Sequence, residues 1–469
     1  MPTSTTRMGA SPMSMASQVE YGAAPLKLGV GKEFGAFAAK MTFADLPADV
    51  VHEGRRGVLD WLGCAIAGSR HPTIAKLLAG VAALGSLERV PVIAHGRKLG
   101  IMEGALVNGQ MGHVLDFDDT HMEGVVLHTS SPVLAALFAA AETGTFTGQD
   151  LITAYALAFE AGVRVGKASP AHHDGGWHLT GTLGSIAAGV AVARLLGLDT
   201  QKMIHALGIA TTQAAGMQQN RGTMSKSFHA GKAASNGVLA AFLAREGFDS
   251  SDEIIEGRRG FSRIFSTVSK PEAMLHELGT DWHIVRNGYK PYACGIVLHP
   301  MIDGMIELQR RGLKPDDVSA IEVTVNPGTV RITGVKEPQT GLQSKFSVYH
   351  SAAVAFLDGN AGREQYSDRR AVAPEVVAMR AKVHVATDEG FRRDEAHAVI
   401  VDASGRRHEA HIDHASGTRD NPMSDAAMEA KFLLNAEPVL GKERAAQLAK
   451  TVWQLDTLAD IREILHLAS

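Results

Sequence analysis

The segment 115–132 concentrates side chains that can exchange protons or bind metal ions. Between apolar flanks of small residues it holds three aspartates and two histidines: Asp116, Asp118, Asp119, His121 and His128. Burying such groups is unfavourable unless they are paired, hydrogen-bonded or used on a ligand. Their density beside apolar sequence therefore predicts that this acidic segment lines a cleft.

Two kinds of chemistry fit the acidic segment. Asp-rich runs can hold Mg²⁺ on the phosphates of a substrate, but these aspartates lack the DDxxD spacing that projects two carboxylates from one helix face. In the other interpretation, one aspartate orients or deprotonates a neighbour, the remaining carboxylates cap helices and turns, and His121 or His128 faces the substrate. The sequence favours this second interpretation, with a metal site and a purely structural role as its alternatives.

A glycine-broken loop, 172–178, supplies three more imidazoles just before a helix rich in small residues. Helix N-terminal amides and polar side chains would meet there, which favours binding of an anionic group. We predict that His178, next to the helix start, belongs to the site. His172 and His173 are interpreted as solvated loop residues.

Cations follow at later positions. The segment 221–232 is interpreted as a glycine-flanked loop ahead of an apolar helix, and its Arg221 and Lys226 would recognise carboxylates. Lys290 lies where a second domain is predicted to begin, and ligand sites are common at domain junctions. The segment 344–351 adds further acid–base candidates at a helix start. Together these residues describe a cleft lined by carboxylate, imidazole and ammonium groups.

Composition excludes several other classes of protein. The chain has 469 residues, a net charge of −4 and two cysteines, Cys64 and Cys294, with no spacing typical of a disulfide framework or a zinc site. It has no long basic run that would favour nucleic acid or an anionic membrane, and no apolar stretch of membrane-spanning length. G-x-G-x-x-G after a strand and the Walker lysine loop are both missing. We therefore expect a soluble, cytoplasmic protein that binds a small molecule.

Hydrophobic periodicity predicts a mainly α-helical protein with an α+β part. Ala- and Gly-rich segments between short breakers predict closely packed helices over 51–67, 131–142, 149–167, 181–196 and 231–244. Later patterns predict helices over 298–310 and 351–357 and strands over 320–325, 381–385, 398–401 and 407–412, with a hairpin turn at Ser404-Gly405. A helical tail begins at a predicted N-cap, Ser424.

These patterns divide the chain into four regions. Residues 1–25 are predicted to form a mobile leader and 26–284 a large all-helical domain. Residues 285–420 are predicted to form a smaller α+β domain, and 421–469 to form helices that pack back on the first domain.

Several motifs, taken in order, resemble the MmgE/PrpD family. They are NGQMGHVLDFDDT at 108–120, TGTLG at 180–184 and SKSFHAG at 225–231, together with 60–68, 256–261 and 290–292. Family members include 2-methylcitrate dehydratase, cis-aconitate decarboxylase and iminodisuccinate epimerase. The resemblance implies an all-helical domain completed by the C-terminal helices, an α+β lid domain between them, a homodimer and a small polycarboxylate substrate. It implies neither a metal nor an organic cofactor.

The resemblance also assigns six residues to the site by motif position: Asp116, Thr120, His128, His178, Lys226 and Lys290. The candidate catalytic residues are Asp116, His128, His178, Lys226 and Lys290. The candidate substrate-binding residues are Thr120, Arg221, His229, Tyr349 and His350. Asp118 and Asp119 are expected to serve structure.

Two positions depart from the family pattern. Where the decarboxylase branch carries a histidine after a Lys-x-Phe-Pro-Ala stretch, this sequence has Gly295, and its next histidine is His299. Decarboxylation is therefore the weaker expectation. At the position where several members carry a lid tyrosine, this sequence has His350, with Tyr349 beside it. The sequence FSVYH at 346–350 is more similar to the epimerase-type branch.

The first step that the resemblance implies is removal of a proton from a carbon next to a carboxylate. The two lysines and Arg221 would stabilise the resulting aci-carboxylate, and His128 or His178 would be the base. Asp116 would fix the tautomer of a histidine. We expect a hydro-lyase acting on a hydroxylated di- or tricarboxylate. An epimerase of a substituted succinate and a non-catalytic scaffold that binds acidic metabolites are the alternatives.

Overall fold

The computed structural model describes residues 29–469, so the predicted leader, 1–25, lies outside the described residues. Within them the chain is mainly α-helical, with a four-stranded sheet and two short two-stranded sheets. The predicted fold class is confirmed. None of the described helices is both long and apolar enough to span a bilayer.

The first part of the chain is helical. Its helices are α1 (Val30–Lys40), α2 (Ala48–Gly68), α3 (Pro72–Leu84), α4 (Ile101–His113), α5 (Ser130–Ala141), α6 (Gly148–Ala168), α7 (Leu179–Leu195), α8 (Thr200–Thr211), α9 (Met224–Arg245) and α10 (Phe261–Ile264). Its strands are β1 (Val90–Val92), β2 (Arg97–Leu99) and β3 (Thr120–His121). The predicted helices over 51–67, 131–142, 149–167 and 181–196 are confirmed to within three residues at each end.

The expectation of a loop over 221–232 is wrong, because α9 already begins at Met224. The two glycines of this segment do different things. Gly222, at φ +76°, makes the turn before the helix. Gly231 lies inside α9, where a Cβ atom would come within 2.1 Å of the Leu106 carbonyl oxygen on α4. Glycine there permits close helix packing, and Lys226 lies in the first turn of a packed helix.

The second part of the chain is α+β. Its helices are α11 (His299–Arg310), α12 (Pro327–Thr333), α13 (Gly341–Ser344), α14 (Val348–Asp358), α15 (Asp368–Ala371) and α16 (Pro374–Arg380). Its strands are β4 (Asn287–Gly288), β5 (Val318–Val325), β6 (Val383–Thr387), β7 (Ala396–Asp402) and β8 (Arg407–Ile412). The order in the main sheet is β6-β5-β7-β8, with β5 parallel to β6 and the other pairs antiparallel. The predicted hairpin turn is present, with Gly405 at φ +85°.

The tail forms α17 (Asp425–Leu440), α18 (Lys442–Trp453) and α19 (Arg462–Leu467). The Ser424 side chain accepts a hydrogen bond from the Ala427 amide, as the predicted N-cap requires. From α17 the ammonium group of Lys431 donates to Asp60 on α2 and to the Phe117 carbonyl oxygen, at 2.6 and 2.7 Å. The last helices therefore hold the acidic segment in place.

Two hydrophobic cores organise the described chain. The first joins apolar residues of α1 to α9 with residues of α17 to α19. The second surrounds α11, α14 and the main sheet, and it also takes in Cys64 and Ala67 of α2 and two residues of the acidic segment, Leu115 and Phe117. The acidic segment thus lies where the two cores meet.

Candidate active site

A cavity of about 60 Å³ is lined by residues from both parts of the chain. Its ionisable lining residues are Asp116, His128, His173, His178, Arg221, Lys226 and Lys290. Apolar side chains complete the wall, among them Val126, Val297 and Phe346. All five candidate catalytic residues and one candidate substrate-binding residue, Arg221, therefore lie at one cavity.

Local backbone geometry brings the acidic segment to the second part of the chain. Asp116 follows the end of α4 and has φ +50°, a left-handed conformation that Asp tolerates better than most residues. Strand β3 then pairs with β4, opposing Thr120 to Gly288. Because Lys290 comes two residues after this bridge, its side chain reaches back to Asp116.

Asp116 is held between two ammonium groups. Lys290 donates to one carboxylate oxygen at 2.7 Å and to the Asp116 carbonyl oxygen at 3.1 Å. Lys226 lies 3.1 Å from the other carboxylate oxygen. Burial by itself would raise the pKa of Asp116, but the two ammonium groups outweigh it and hold that pKa well below its usual value. Asp116 is therefore ionised at neutral pH.

The pKa values of the two lysines are shifted in opposite directions. Burial by itself would lower the pKa of Lys290, but the Asp116 carboxylate outweighs it and raises that pKa. For Lys226, burial prevails over the same carboxylate and lowers the pKa. Lys226 therefore releases a proton more readily than Lys290.

The tautomer of His128 is fixed by a backbone group. Its Nδ1 donates to the Asp119 carbonyl oxygen at 2.8 Å and lies 3.1 Å from the Thr120 hydroxyl. Since a carbonyl oxygen can only accept, Nδ1 carries the proton and Nε2 keeps its lone pair. Burial and the ammonium group of Lys290 lower the pKa of His128 well below its usual value. A neutral imidazole with a free Nε2 therefore lines the cavity.

The expectation that Asp116 fixes a histidine tautomer is not supported. Both oxygens of its carboxylate are occupied by Lys226 and Lys290. The orienting acceptor for His128 is the carbonyl of Asp119 instead, and sequence reasoning missed it because a main-chain group leaves no mark in the sequence.

His178 is the N-cap residue of α7, and its ring is paired with a second imidazole. Nδ1 of His178 lies 2.9 Å from Nδ1 of His229 on α9. Burial and the ammonium group of Lys226 lower the pKa of His178 well below its usual value. His229, a candidate substrate-binding residue, is partly exposed and is not among the cavity-lining residues, so it lies behind His178 as seen from the cavity.

The interpretation of His172 and His173 as solvated residues is wrong. His172 is buried among Trp177, Phe261 and Phe265, and its Nε2 lies 3.0 Å from the Thr182 hydroxyl. His173 lines the cavity. Burial and the neighbouring guanidinium of Arg221, 3.4 Å from its Nε2, lower the pKa of His173 to about 4.

Besides His229, three other candidate substrate-binding residues are not among those that line the cavity. Thr120 is fully buried, with its hydroxyl against His128. His350 is buried one turn into α14, and its Nε2 donates to the Gln365 carbonyl oxygen. The ring of Tyr349 lies under the ammonium group of Lys336, 5.9 Å away. The Ser347 side chain accepts a hydrogen bond from the His350 amide and so fixes where α14 begins. With this start, the side chains of Tyr349 and His350 are not among those that line the cavity.

Lys345, in the candidate segment 344–351, links two parts of the site through its side chain. Its buried ammonium group donates to the carbonyl oxygens of Leu115 and Ala293, both at 2.6 Å. Leu115 directly precedes Asp116, and Ala293 follows Lys290 by three residues. Burial lowers the pKa of Lys345 to about 8. Lys345 therefore ties together the two segments that carry the Asp116 ion pairs.

The other aspartates of the acidic segment support its conformation. Asp118 accepts from His113 Nδ1 at 2.8 Å and from the Ser131 hydroxyl at 2.9 Å. Asp119 accepts from the Asn287 amide at 2.7 Å. Neither is among the cavity-lining residues, and neither is His121, whose Nδ1 donates to the Val125 carbonyl oxygen.

The side chains of His113, Asp118 and His128 come close enough to be considered as metal ligands. Their hydrogen bonds argue otherwise. Nδ1 of His128 is committed to the Asp119 carbonyl, and Asp118 already accepts from His113 and Ser131. This donor set fits a hydrogen-bonded network, and no metal is assigned to it.

The chain is similar to known decarboxylases and to a dehydratase. The chain is 30% identical over 462 residues to the cis-aconitate decarboxylase of Aspergillus terreus, covering 92% of this chain and 94% of that protein. It is 25% identical to the human cis-aconitate decarboxylase, covering 76% and 77% of the two chains. It is 23% identical to the 2-methylcitrate dehydratase of Cupriavidus necator, covering 72% and 74%.

Two family models account for most of the sequence. The MmgE/PrpD N-terminal domain matches residues 32–274, which carry Asp116, His128, His178 and Lys226. The MmgE/PrpD C-terminal domain matches residues 292–457. Lys290 lies between the two matches. The chain belongs to the MmgE/PrpD family.

Proposed function

We propose that this protein is a lyase that removes a proton from the carbon next to a carboxylate of a small di- or tricarboxylic acid. One observation carries the proposal: among the lining residues, three cations face a single carboxylate, beside neutral imidazoles. An excess of buried positive charge favours a polyanionic ligand. The names of the relatives, decarboxylases and dehydratases of small acids, support the same reaction class.

His128 is the proposed base. Its Nε2 has a lone pair because Nδ1 donates to a carbonyl, and its lowered pKa keeps it neutral near pH 7. Loss of the carbon-bound proton places two negative charges on the adjoining carboxylate. Lys226, Lys290 and Arg221 would stabilise this aci-carboxylate more strongly than the substrate, which is the requirement for catalysis.

We propose dehydration as the reaction that follows. The electron pair released from the C–H bond forms a carbon–carbon double bond, the adjacent C–O bond breaks, and the hydroxyl group leaves as water after receiving a proton. Gly295 supports this choice over decarboxylation, because it lines the cavity where the family resemblance implies a histidine in decarboxylases. The next histidine, His299, is buried and is not among the lining residues.

Decarboxylation is the second candidate, because relatives named cis-aconitate decarboxylase match over 92% of this chain. In that reaction the bond to a carboxylate breaks, CO₂ leaves, and a proton is delivered to the carbon. Epimerisation is a third candidate, because His128 and His178 both line the cavity with Nδ1 already engaged. A homodimer and a cytoplasmic location remain predictions.

Proton NMR in D₂O separates these reactions. The protein is incubated with citrate, 2-methylcitrate, cis-aconitate and iminodisuccinate, each alone. Formation of an alkene from a hydroxy acid supports dehydration: citrate would give a vinyl proton, and 2-methylcitrate would give a methyl group on a double bond. Loss of CO₂ from cis-aconitate supports decarboxylation, and deuterium incorporation with neither change supports epimerisation.

Two variants test whether the cavity is responsible. Lys226→Ala and His178→Ala should abolish turnover while the fold, followed by circular dichroism, persists. His276→Asn, at an exposed histidine elsewhere, is the matched control and should behave as wild type. If wild type turns over none of the acids but binds them, the non-catalytic scaffold is correct.

A further inference from the structure

We infer that His178 and His229 form a two-histidine proton relay between the cavity and solvent, in which His229 is a positioning residue that sets whether His178 acts as a base or an acid. The inference deepens the proposed function and rests on it. Its geometric basis is the Nδ1-to-Nδ1 contact of 2.9 Å.

This contact allows one shared proton. With neutral rings, one Nδ1 must donate and the other must accept. When His178 donates, its proton is on Nδ1, so Nε2 has a lone pair and is basic. When His229 donates, the proton of His178 is on Nε2, which can then be given away. The direction of one hydrogen bond therefore decides the chemistry of the cavity-lining ring.

The two rings occupy different environments, as a relay requires. His178 lines the cavity and is 8% exposed, whereas His229 is partly exposed. His229 lies one turn after Lys226 on α9, so both side chains project from one face of that helix. The protein thus places one imidazole at the reacting centre and the other towards water.

Two glycines pack against the histidine pair. At Gly216, with φ +137°, a Cβ atom would lie 3.4 Å from both His229 Nδ1 and the His178 carbonyl oxygen. At Gly181, a Cβ atom would come within 2.3 Å of the Ala215 carbonyl oxygen and 3.2 Å of His229 Cβ. The His178 amide also donates to the Gly216 carbonyl oxygen at 3.1 Å. The pair is therefore held by its surroundings on two elements.

The charged and titratable groups that face the pair are known. His178 is faced by Lys226, His113 and His128 besides His229. His229 is faced by His113 and Lys226. Since Lys226 opposes accumulation of positive charge on either ring, an imidazolium at His178 would be short-lived and a relayed proton would pass on.

The proton balance for dehydration is complete. His178 gives its Nε2 proton to the departing hydroxyl group and takes the Nδ1 proton of His229 at the same time. His229 then takes a proton from water on Nε2. The proton removed from carbon by His128 returns to solvent after the product leaves. The pair is then reset in the empty cavity: His178 takes a proton from water on Nε2 and returns its Nδ1 proton to His229, whose Nε2 proton passes to water. Over the whole cycle carbon loses one proton, the leaving hydroxyl group gains one, and both histidines regain their starting tautomers.

The informative variant is His229→Asn. Asparagine can still accept from or donate to His178 Nδ1, but it cannot carry a proton onward. For a hydroxy acid that wild type dehydrates, we expect kcat to fall about 100-fold, the lower range for a positioned proton-transfer group, with little change in KM. Added imidazole should restore at least a tenth of the wild-type rate. Wild type and the control His276→Asn should not respond to imidazole.

A second measurement needs no substrate. In protein labelled with ring ¹⁵N histidine, the shared proton should give a protected downfield resonance that disappears in both His178→Asn and His229→Phe. Absence of this resonance from wild type overturns the relay, and so does a His229→Asn enzyme with wild-type kcat or with a loss that imidazole does not restore. If no acid is turned over by wild type, the proposed function fails, and this resonance alone decides the pairing.

Discussion

Asp116 and Asp119 lie three residues apart, and both carboxylates are buried, yet their environments are opposite. Asp116 is clamped by Lys226 and Lys290 and lines the cavity. Asp119 accepts from the neutral amide of Asn287 and lies near the carboxylate of Asp118. Burial and that second carboxylate raise the pKa of Asp119 to about 8, whereas the pKa of Asp116 lies well below its usual value.

The comparison shows that burial alone does not decide what a carboxylate does. Desolvation disfavours the charged form at both positions, and the nearest charges decide the outcome. Where two ammonium groups converge, the carboxylate stays ionised and the surplus positive charge is available to a substrate. Where no cation is in contact, the carboxyl group is neutral and serves as a hydrogen-bonding element.

The largest expected effect comes from replacing the two aspartates separately. Asp116→Asn should lower kcat/KM by about 100- to 1,000-fold, because it removes the group that positions both lysines around the developing charge. Asp119→Asn should lower it by less than about fivefold, since the buried carboxyl is already neutral. Steady-state turnover of the substrate found by NMR measures both. Equal losses would contradict the distinction between the two aspartates.

A large effect on stability is expected for Lys290→Met. Breaking a buried ion pair from one side leaves Asp116 with a single cation, and the free energy of unfolding should fall by about 3–5 kcal/mol. Urea denaturation followed by circular dichroism measures it. Lys202→Met is the control, because this partly exposed lysine of α8 donates its side-chain hydrogen bond to a carbonyl oxygen, that of Arg245, and not to a carboxylate. Its free energy of unfolding should change by less than about 0.5 kcal/mol. A comparable fall in both variants would rule out the clamp as the cause.

The pH dependence of stability should distinguish the two aspartates by sign. The raised pKa of Asp119 stabilises the folded protein at low pH, and this contribution is lost as pH rises from about 4 towards 8. Asp119→Asn should therefore gain stability relative to wild type over this window, by up to about 1.4 kcal/mol per pH unit. Asp116, with its lowered pKa, contributes above its usual pKa and loses that contribution at lower pH. Denaturation curves of wild type and Asp119→Asn between pH 5 and 8 test this sign. If the difference in their free energies of unfolding does not change with pH, the carboxyl group of Asp119 is not neutral.

The smallest effect is expected at His121, the histidine of the acidic segment that does not line the cavity. His121→Asn keeps a donor near the Val125 carbonyl oxygen, so stability should fall by about 1 kcal/mol and kcat should not change. His128→Asn, in contrast, should abolish turnover. Turnover and thermal unfolding of the two variants measure this contrast. A loss of kcat in His121→Asn would place His121 in the site.

Much of the fold could be predicted from the sequence, because the hydrophobic periodicity of helices and strands is a local property of the sequence. Most predicted helices and the β7–β8 hairpin appear close to their expected positions. The segment around Lys226 was misjudged because glycine marks a turn at Gly222 but a close helix contact at Gly231. Those two uses of glycine look alike in sequence, and only the neighbouring helix distinguishes them.

For the candidate site, residue type was a good guide and orientation was not. Asp116, His128, His178, Lys226 and Lys290 all line one cavity. Tyr349 and His350 do not, because their directions depend on where α14 begins and how it packs. His173 lines the cavity and Lys345 lies beside it, and neither position was predicted. A lysine or histidine in the sequence does not show whether its side chain is buried or exposed.

The amino-acid sequence by itself determined the helical periodicity, the set of acid, base and cationic residues and the family to which the chain belongs. Only the tertiary structure decided which carboxylate stays charged, which ring nitrogen of His128 keeps its lone pair and that His178 is paired with His229. The physical reason is that pKa values and tautomers depend on distances of a few ångströms between groups far apart in sequence. Lys290, from beyond the last helix of the first part, reaches Asp116 to within 2.7 Å and so sets the charge of the site.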